Sequence, residues 1–523
     1  MDNKDSEAEI HPLKTEDVKA QENHENSVER RIVSKQSSRL SRLSRWRTAA
    51  FFISLFLCLI IVFAFSFIIP CPERPVSERT WFRNYDNAVA YQFLAIEDVN
   101  EDKVQDVIFA FKASNSSSSF NRSCLDEGSL PSPCAFVAAV SGTNGRALWE
   151  RPAAEEIEWM ECDIKQLGEA AVPGCLVVGK PVSLTTVALR TGEVLWRQSS
   201  DFGANYTVLT PVSVIPDVDS DGVQDLIIFI ATGDKVCHSE AMINPVAGPQ
   251  GMAGMLFISI LVQSKGRITY LLHYCFLCAE NSLYAYSLKD LYSAATGMEI
   301  KLPSLKQDPQ WEKNIDHTTH RLSLLSSGDI RYLAKIPGQS RENILVVNSE
   351  MATLINAQNL QTLWTLNTSR VMIVESGSGA VQWDLKLNSR AKSPGPATLS
   401  TADHRSAFLI WGEYQVPGNE TVTPLQKLYL FHPSYTNVLL ELRNSTDQII
   451  AFNATLFERS RHACYVLLRG PPPSEEPGPV SLMKRKLKED VSESRVIWLS
   501  QVAVDSEQYI RDRLYRMRFH SRV

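Results

Sequence analysis

The chain has 523 residues, of which 53 are basic and 59 acidic, for a formal net charge of −6. That balance gives no electrostatic reason to expect a nucleic-acid partner, and no P-loop or G-x-S-x-G motif is present to suggest nucleotide or acyl-transfer chemistry. The stretch beyond residue 69 is long enough for one large or two medium domains with a real core.

Met1 to Glu29 carries nine acidic and three basic residues and no apolar periodicity, so disorder is expected there. From Arg30 to Arg47 the sign reverses, with seven basic residues and no acidic one. Such a run lies against anionic headgroups at about 1 kcal/mol per charge. Ser41, Ser44 and Thr48 sit among these arginines, where phosphorylation would loosen the contact.

Ala49–Ile69 is an uncharged run of 21 residues. At about 1.5 Å per residue it spans roughly 30 Å, the thickness of a hydrocarbon core. A buried helix is rarely apolar all round for this length, and a cleaved signal peptide does not follow so long a leader. Positive charge stays cytoplasmic, which puts the N-terminus inside and everything from Pro70 outside or in a lumen. Seven N-glycosylation sequons, at Asn115, Asn121, Asn205, Asn367, Asn419, Asn444 and Asn453, all follow the anchor. The expected plan is a disordered cytoplasmic tail (1–48), a type II signal-anchor helix (49–69), a linker (70–80) and an ectodomain (81–523).

Ten cysteines are present, nine of them outside the anchor residue Cys58. In an oxidising compartment, Cys124 with Cys134 and Cys162 with Cys175 are expected local disulfides, and Cys237 has Cys275 or Cys278 as partners. The odd count leaves a thiol over, and Cys71 at the membrane edge is a candidate for palmitoylation or for a bridge between two chains.

Two ectodomain segments share one pattern, Asp98-Val-Asn-Glu-Asp-Lys-Val-Gln-Asp106 and Asp217-Val-Asp-Ser-Asp-Gly-Val-Gln-Asp225. Oxygen donors fall at Asp98, Asn100, Asp102 and Asp106, with the Val104 carbonyl between the last two. The second loop repeats this with Asp217, Asp219, Asp221, Asp225 and the Val223 carbonyl. That spacing wraps a hard cation such as Ca²⁺, which takes six to eight oxygens. Each loop runs into an apolar strand-like segment rather than a helix, so hairpin connections are expected, not EF-hands.

The pattern D-x-D-x-D-G-x-x-D-L resembles the FG-GAP cation loop of integrin α-subunit propellers. The whole chain resembles the family with sequence similarity 234, described as integrin-α FG-GAP repeat-containing proteins. The matching stretches include EAEIHPLK near the start, AAFFISLFLCL in the anchor and TADHRSAF at 401–408. The resemblance implies a single-pass membrane protein with a β-propeller-like ectodomain and no assigned enzymatic activity.

A glycine turn followed by an apolar strand carrying Trp recurs as SGTNGRALWE (141–150), LRTGEVLWRQ (189–198) and SGSGAVQWDL (376–385), with a looser copy, NAQNLQTLWTL, at 356–366. Trp149 and Trp196 lie 47 residues apart, close to a propeller-blade period. An all-β fold of seven or eight blades is therefore expected. Trp364 and Trp383 are only 19 residues apart, and the family resemblance implies a longer segment there, so one blade is expected to be truncated. The apolar run GMAGMLFISILV reads as a buried strand pair, and Ile510, Leu514 and Met517 as the apolar face of a closing helix.

The glycine–tryptophan signature also resembles quinoprotein dehydrogenases, but the adjacent Cys-Cys pair of those enzymes is missing. Cys275-Phe-Leu-Cys278 lacks a thioredoxin-like context, and His317-Thr-Thr-His320 lacks the glutamate of a zincin. The sequence points to a Ca²⁺-stabilised cell-surface glycoprotein with a non-catalytic interaction or adhesion module. A quinoprotein-like redox enzyme and a trafficking adaptor acting through the tail are the alternatives.

Overall fold

The computed structural model describes residues 37–68 and most of 80–520; the longer stretches outside it are 1–36, 69–79, 216–224, 233–242, 246–254, 288–320 and 416–425. Two compact units are present, Met1–Arg74 and Pro75–Val523. In the first, helix α1 runs over Ser37–Ile68. It starts twelve residues ahead of the expected membrane segment, which corrects the reading of a disordered tail through residue 48. Helix propagation explains the difference: once the apolar run has nucleated, Arg, Leu and Ser upstream each add a hydrogen bond at little cost. The window Arg45–Ala64 has a mean hydropathy of 2.3 and no buried residues, so by length and composition it can cross a membrane.

The second unit is built of small sheets in the manner of propeller blades. The first blade takes the second half of β1 (Trp81–Glu97) with β2 (Asp106–Ala113), β3 (Cys134–Val140) and β4 (Ala147–Ala154). The second is β5 (Glu156–Leu167), β6 (Val172–Lys180), β7 (Ser183–Ala188) and β8 (Val194–Ser199). The third holds β9 (Tyr206–Ile215), β10 (Asp225–Thr232), β11 (Ile243–Pro245) and β12 (Met255–Ile260), with β12 parallel to β10. Among the described residues the run GMAGMLFISILV thus supplies one strand, β12, rather than a pair.

The fourth blade is β13 (Arg267–Leu271), β14 (Tyr274–Ala279), β15 (Ser282–Ser287) and β16 (Arg321–Ser326). The fifth is β17 (Ile330–Ile336), β18 (Asn343–Asn348), β19 (Met351–Ile355) and β20 (Thr362–Asn367). Among the described residues the sixth has β21 (Val371–Val374) and β22 (Val381–Leu385), which is the expected truncated blade. The seventh is β23 (Ala397–Ser400), β24 (Ser406–Gly412), β25 (Lys427–Phe431) and β26 (Val438–Arg443). The eighth is β27 (Ile449–Thr455), β28 (Cys464–Arg469) and β29 (Gly478–Lys486) plus the first half of β1. After helix α2 (Leu487–Glu493), strand β30 (Arg495–Trp498) adds to the edge of the seventh blade, and helix α3 (Glu507–Tyr515) follows.

Strand β1 closes the ring by serving two blades. Its residues Trp81 to Ala88 pair with β29, and Val89 to Glu97 pair with β2. The last blade therefore needs the first strand of the domain, and the two ends of the unit are held by a backbone ladder. Apolar cores fill the spaces between adjacent blades: Phe109, Phe111 and Phe136 of the first blade pack with Val466, Leu468 and Leu482 of the eighth. Ile510 and Leu514 of α3 are buried against the seventh and eighth blades, and Ser506 caps that helix by accepting from the Tyr509 amide.

Three of the tryptophans share one job. Trp81, Trp149 and Trp364 each lie over the glycine of the next blade's turn, Gly145, Gly192 and Gly379, all at positive φ. Each indole also donates to the carbonyl three residues before that glycine, on Gly142, Leu189 and Ser376, at 3.0, 3.0 and 2.9 Å. A side chain at these glycines would run into the ring. The fourth turn of this type has Leu360 at φ 62° in the glycine position. The preceding blade's β16, Arg321–Ser326, carries no Trp, so nothing there demands a bare backbone.

One buried group outside the seam makes stability depend on pH. His432 follows β25, is 2% exposed, and its Nδ1 accepts from the Ser434 amide at 3.2 Å. Burial holds its pKa below the ordinary value, against the pull of Asp403 and with a small push from Arg405. The folded chain thus resists a proton that the unfolded chain accepts. The stability is present above about pH 6.5 and is lost as pH falls below it. Thermal melts at about pH 7.5 and 5.5 should show a drop that His432→Gln reduces.

Candidate functional site

The first acidic loop connects β1 to β2, whose ends pair as Glu97 with Asp106. The second connects β9 to β10, where Ile215 pairs with Asp225. Both are hairpin connections, as expected. Asp217, Asp219, Asp221 and Val223 lie outside the described residues, so the geometry of the site comes from the first loop.

Asp106 is fully buried and acts as a clamp. Its Oδ2 accepts from the amides of Val99 and Asn100 at 3.0 and 3.2 Å, and its Oδ1 from the Gly142 amide at 2.9 Å. Burial pushes its pKa up to about 6, with the Gly142 and Asn100 amides opposing and Asp102 adding to the rise. In this conformation its Oδ2 holds the loop's own backbone and its Oδ1 the backbone of the β3–β4 turn.

The remaining donors face the loop interior. Asp98 Oδ2 accepts from the Lys103 amide at 3.0 Å, while its Oδ1 is buried with no hydrogen-bond partner. Burial raises the Asp98 pKa, and Asp102 contributes in the same direction. Asn100 Oδ1 accepts from the Asp102 amide at 3.0 Å, and Asp102 Oδ1 from the Val104 amide at 2.7 Å. Glu101 and Lys103 take φ of 60° and 68°, the latter where the second loop has glycine. A cation fits this loop in part: the orphaned Asp98 oxygen is what a positive charge would satisfy, and Asn100, Asp102 and the Val104 carbonyl belong to the same short loop. Among the described residues no cluster of three or more His, Cys, Asp or Glu side chains is gathered to hold a metal.

Sequence reasoning missed where this loop sits, which is on the ring-closure seam. Gly142 joins its parts. The amide goes to Asp106, while the carbonyl accepts from Trp81 Nε1 at 3.0 Å and from Lys484 Nζ at 2.6 Å. Lys484 is 1% exposed, faces Trp81 across the β1–β29 ladder, and lies 4.5 Å from the Phe457 ring. The Gln105 amide donates to the Phe457 carbonyl at 2.7 Å, tying the loop to the eighth blade again. Deeper in the seam, Glu150 of β4 accepts from Arg83 and Tyr85 of β1, both at 3.1 Å. The signal was the extra glycine in SGTNG, at a position where the other copies have Leu189 and Ser376.

Both expected disulfides, Cys124–Cys134 and Cys162–Cys175, are formed. Cys275 and Cys278 fall within strand β14, and Cys71, Cys237, His317 and His320 lie outside the described residues. Of the sequons, Asn115 and Asn367 are exposed, and Asn453 is half-buried in β27 with its Oδ1 accepting from the Ala454 amide at 2.8 Å. Asn121, Asn205, Asn419 and Asn444 lie outside the described residues. Ser41, Ser44 and Thr48 lie on α1.

Comparison with known proteins agrees with this architecture. The family profile described as FAM234A/B beta-propeller matches residues 81–372 and 368–520. Its two segments meet where β21 begins. Protein FAM234A of Homo sapiens is 42% identical over 561 aligned positions, covering 100% of both chains. Since this chain has 523 residues, about 38 of those positions have no counterpart in it. Protein FAM234B of Gallus gallus is 26% identical, covering 90% of this chain and 83% of the relative. The crystal structure of RRP9 WD40 repeats covers 79% of this chain and 98% of its own, at a TM-score of 0.33 and 9% identity, a likeness too small to carry an argument. On the closed set of blades, the tryptophan docking and these matches together, the chain belongs to the FAM234A/B beta-propeller family.

Proposed function

We propose that this is a type II single-pass membrane glycoprotein whose propeller, stabilised by Ca²⁺, presents a rigid non-catalytic surface to protein partners on the far side of the membrane, at the cell surface. The observation that carries the orientation is the charge step across the apolar helix: seven basic residues precede it and all seven sequons follow it. Treating sealed cells with protease should leave the 1–30 segment intact and cut on the ectodomain side. Site-specific mass spectrometry should find sugar on Asn115 and Asn367 and little on half-buried Asn453. Loss of the tail with protection of the remainder would overturn the orientation.

The cation reading rests on the buried, partnerless Oδ1 of Asp98. Because the loop is part of the closure seam, an ion there would reinforce the joining of the first and eighth blades and need not signal. Extracellular sites of this kind bind with about 10⁻⁴–10⁻³ M affinity. Chelation should therefore lower the melting temperature of the full-length protein, and Asp98→Asn should shrink that shift. An Asp98→Asn, Asp219→Asn double variant should abolish it. A melting temperature indifferent to millimolar calcium would refute the proposal. A binding module is favoured over a redox enzyme because the acidic loops join strands at the blade hairpins and the Cys-Cys pair of quinoproteins is absent from the sequence.

A further inference from the structure

The sixth blade is incomplete on one side. Its turn carries Gly379 at positive φ, as the first and second blades carry Gly145 and Gly192 between their third and fourth strands. By that correspondence β21 and β22 are a third and a fourth strand, and among the described residues nothing stands for the first two. Elsewhere in the ring first strands touch one another, β9 with β13, β13 with β17 and β23 with β27. The slot for the sixth blade's first pair lies between β17 and β23.

Three surfaces border it. One is the second edge of β21, with which no described strand pairs. Its residues Val371–Val374 are half-buried throughout and include neither the charge nor the proline that usually blunts an edge. Another is one face of the fifth blade, where the register sets Tyr332, Val347, Ala352 and Leu366 side by side. Trp364 lies on this face and turns it toward the sixth blade by docking on Gly379. Tyr332 is 53% exposed, and Val347, Ala352 and Leu366 are only half-buried, whereas Ile344 and Val346 on the opposite face are buried. The third is Phe408 of β24, half-buried, which packs with Val371 and Ile373 on the core of the seventh blade. The packed interfaces of the sixth blade with both neighbours thus run on into the slot without being covered there.

The neighbouring blades show what covers such surfaces: two antiparallel strands, about 10 Å across. FAM234A of Homo sapiens aligns over about 38 more positions than this chain has residues, more than residues 330–348 need to build β17, its turn and β18. An extended segment laid on β21 gains backbone hydrogen bonds and turns alternate side chains to the apolar wall. A helix could not pair with the edge, and a wholly polar strand would leave the Tyr332 face wet.

We propose that the sixth blade is completed in trans, by an extended segment of a partner protein, apolar at alternate positions, that adds to β21 and covers the Tyr332 face. This rests on the reading of a binding module given above and names its class of partner. The probe is a labelled synthetic peptide with the sequence of FAM234A of Homo sapiens between the residues aligned with β20 and β21. It is titrated to about 100 μM with the full-length protein in lipid nanodiscs, against empty discs. Saturable binding is expected. The same peptide N-methylated at alternate amides keeps its side chains but cannot form the ladder, and should lose tenfold or more. Tyr332→Lys should lose as much, while Met351→Lys, 40% exposed on the opposite face of the same blade, should bind as wild type does. Both variants should melt as wild type does. No saturable binding, the result if the chain's own residues fill the slot, overturns the proposal, as does equal binding of the N-methylated peptide. Binding that halves the mass in light scattering gives the slot to a second copy and overturns it too. Discs leave both sides of the membrane open, so failure here leaves the protease and calcium tests unaffected, and their failure leaves the slot standing.

Discussion

Gly142→Ala should destabilise the propeller by about 3 kcal/mol or more, at the upper end for a single added methyl group. Its Cβ would lie 1.7 Å from the Gln105 carbonyl oxygen and 2.7 Å from a ring carbon of Phe457. Neither can retreat cheaply. Gln105 is fixed by its bond to the Phe457 backbone, and Phe457 lies under the Lys484 ammonium. Moving Gly142 instead breaks its bonds to Asp106, Trp81 and Lys484 together. Gly377→Ala is the control, since nothing lies within 4 Å of its added Cβ, and it should change stability by no more than about 0.5 kcal/mol. Thermal unfolding of the two full-length variants measures the contrast. Equal melting temperatures would show that the closure seam does not limit stability.

Asp106→Ala should cost about 3–5 kcal/mol, because it leaves the buried amides of Val99 and Gly142 without acceptors at about 1–3 kcal/mol each and frees the Asn100 amide as well. Asp106→Asn keeps one acceptor oxygen and should cost less than half as much. The pair also differ in pH behaviour. Burial raises the folded pKa of Asp106 to about 6, above the usual carboxylate value, so the folded chain holds this proton more tightly than the unfolded one. That contribution to stability is present at low pH and lost as pH rises through about 6. Asparagine cannot titrate, so the variant should flatten this part of the profile while leaving the opposite slope from His432. Chemical denaturation across about pH 4.5–7.5 separates the two. An Asp106→Asn profile parallel to wild type would assign the slope to other groups.

The closure seam changes the meaning of the acidic loop. A hairpin loop on an arbitrary blade would stabilise only its own turn. Here the same few atoms bind the loop, the glycine turn and the start of β1, so the proposed cation near Asp98 would act where the two ends of the domain meet. The truncated sixth blade is the other place where regularity fails. Trp364 still docks on Gly379, and Trp383 still reaches the seventh blade, so the two described strands link the fifth blade to the seventh although a two-stranded sheet is marginal by itself.

Much of the architecture is legible in local chemistry. The apolar helix, the hairpin nature of the acidic loops, the glycine-then-tryptophan turns, the two short-range disulfides and the shortened interval between Trp364 and Trp383 are all carried by neighbours in the chain. Periodicity, turn geometry and composition act over such distances. What only tertiary structure decided involves partners on other hairpins or other blades, from tens to hundreds of residues apart in the chain. Gly142 must be glycine because the Gln105 carbonyl passes beside it, and Lys484 is buried because β1 lends its first half to the last blade. Asp106 turns inward because the Gly142 amide waits there, so a carboxylate whose spacing offers it to a cation also holds backbone amides of the loop and of a second turn. Spacing reports which atoms a loop can offer; only packing determines which of them are already engaged.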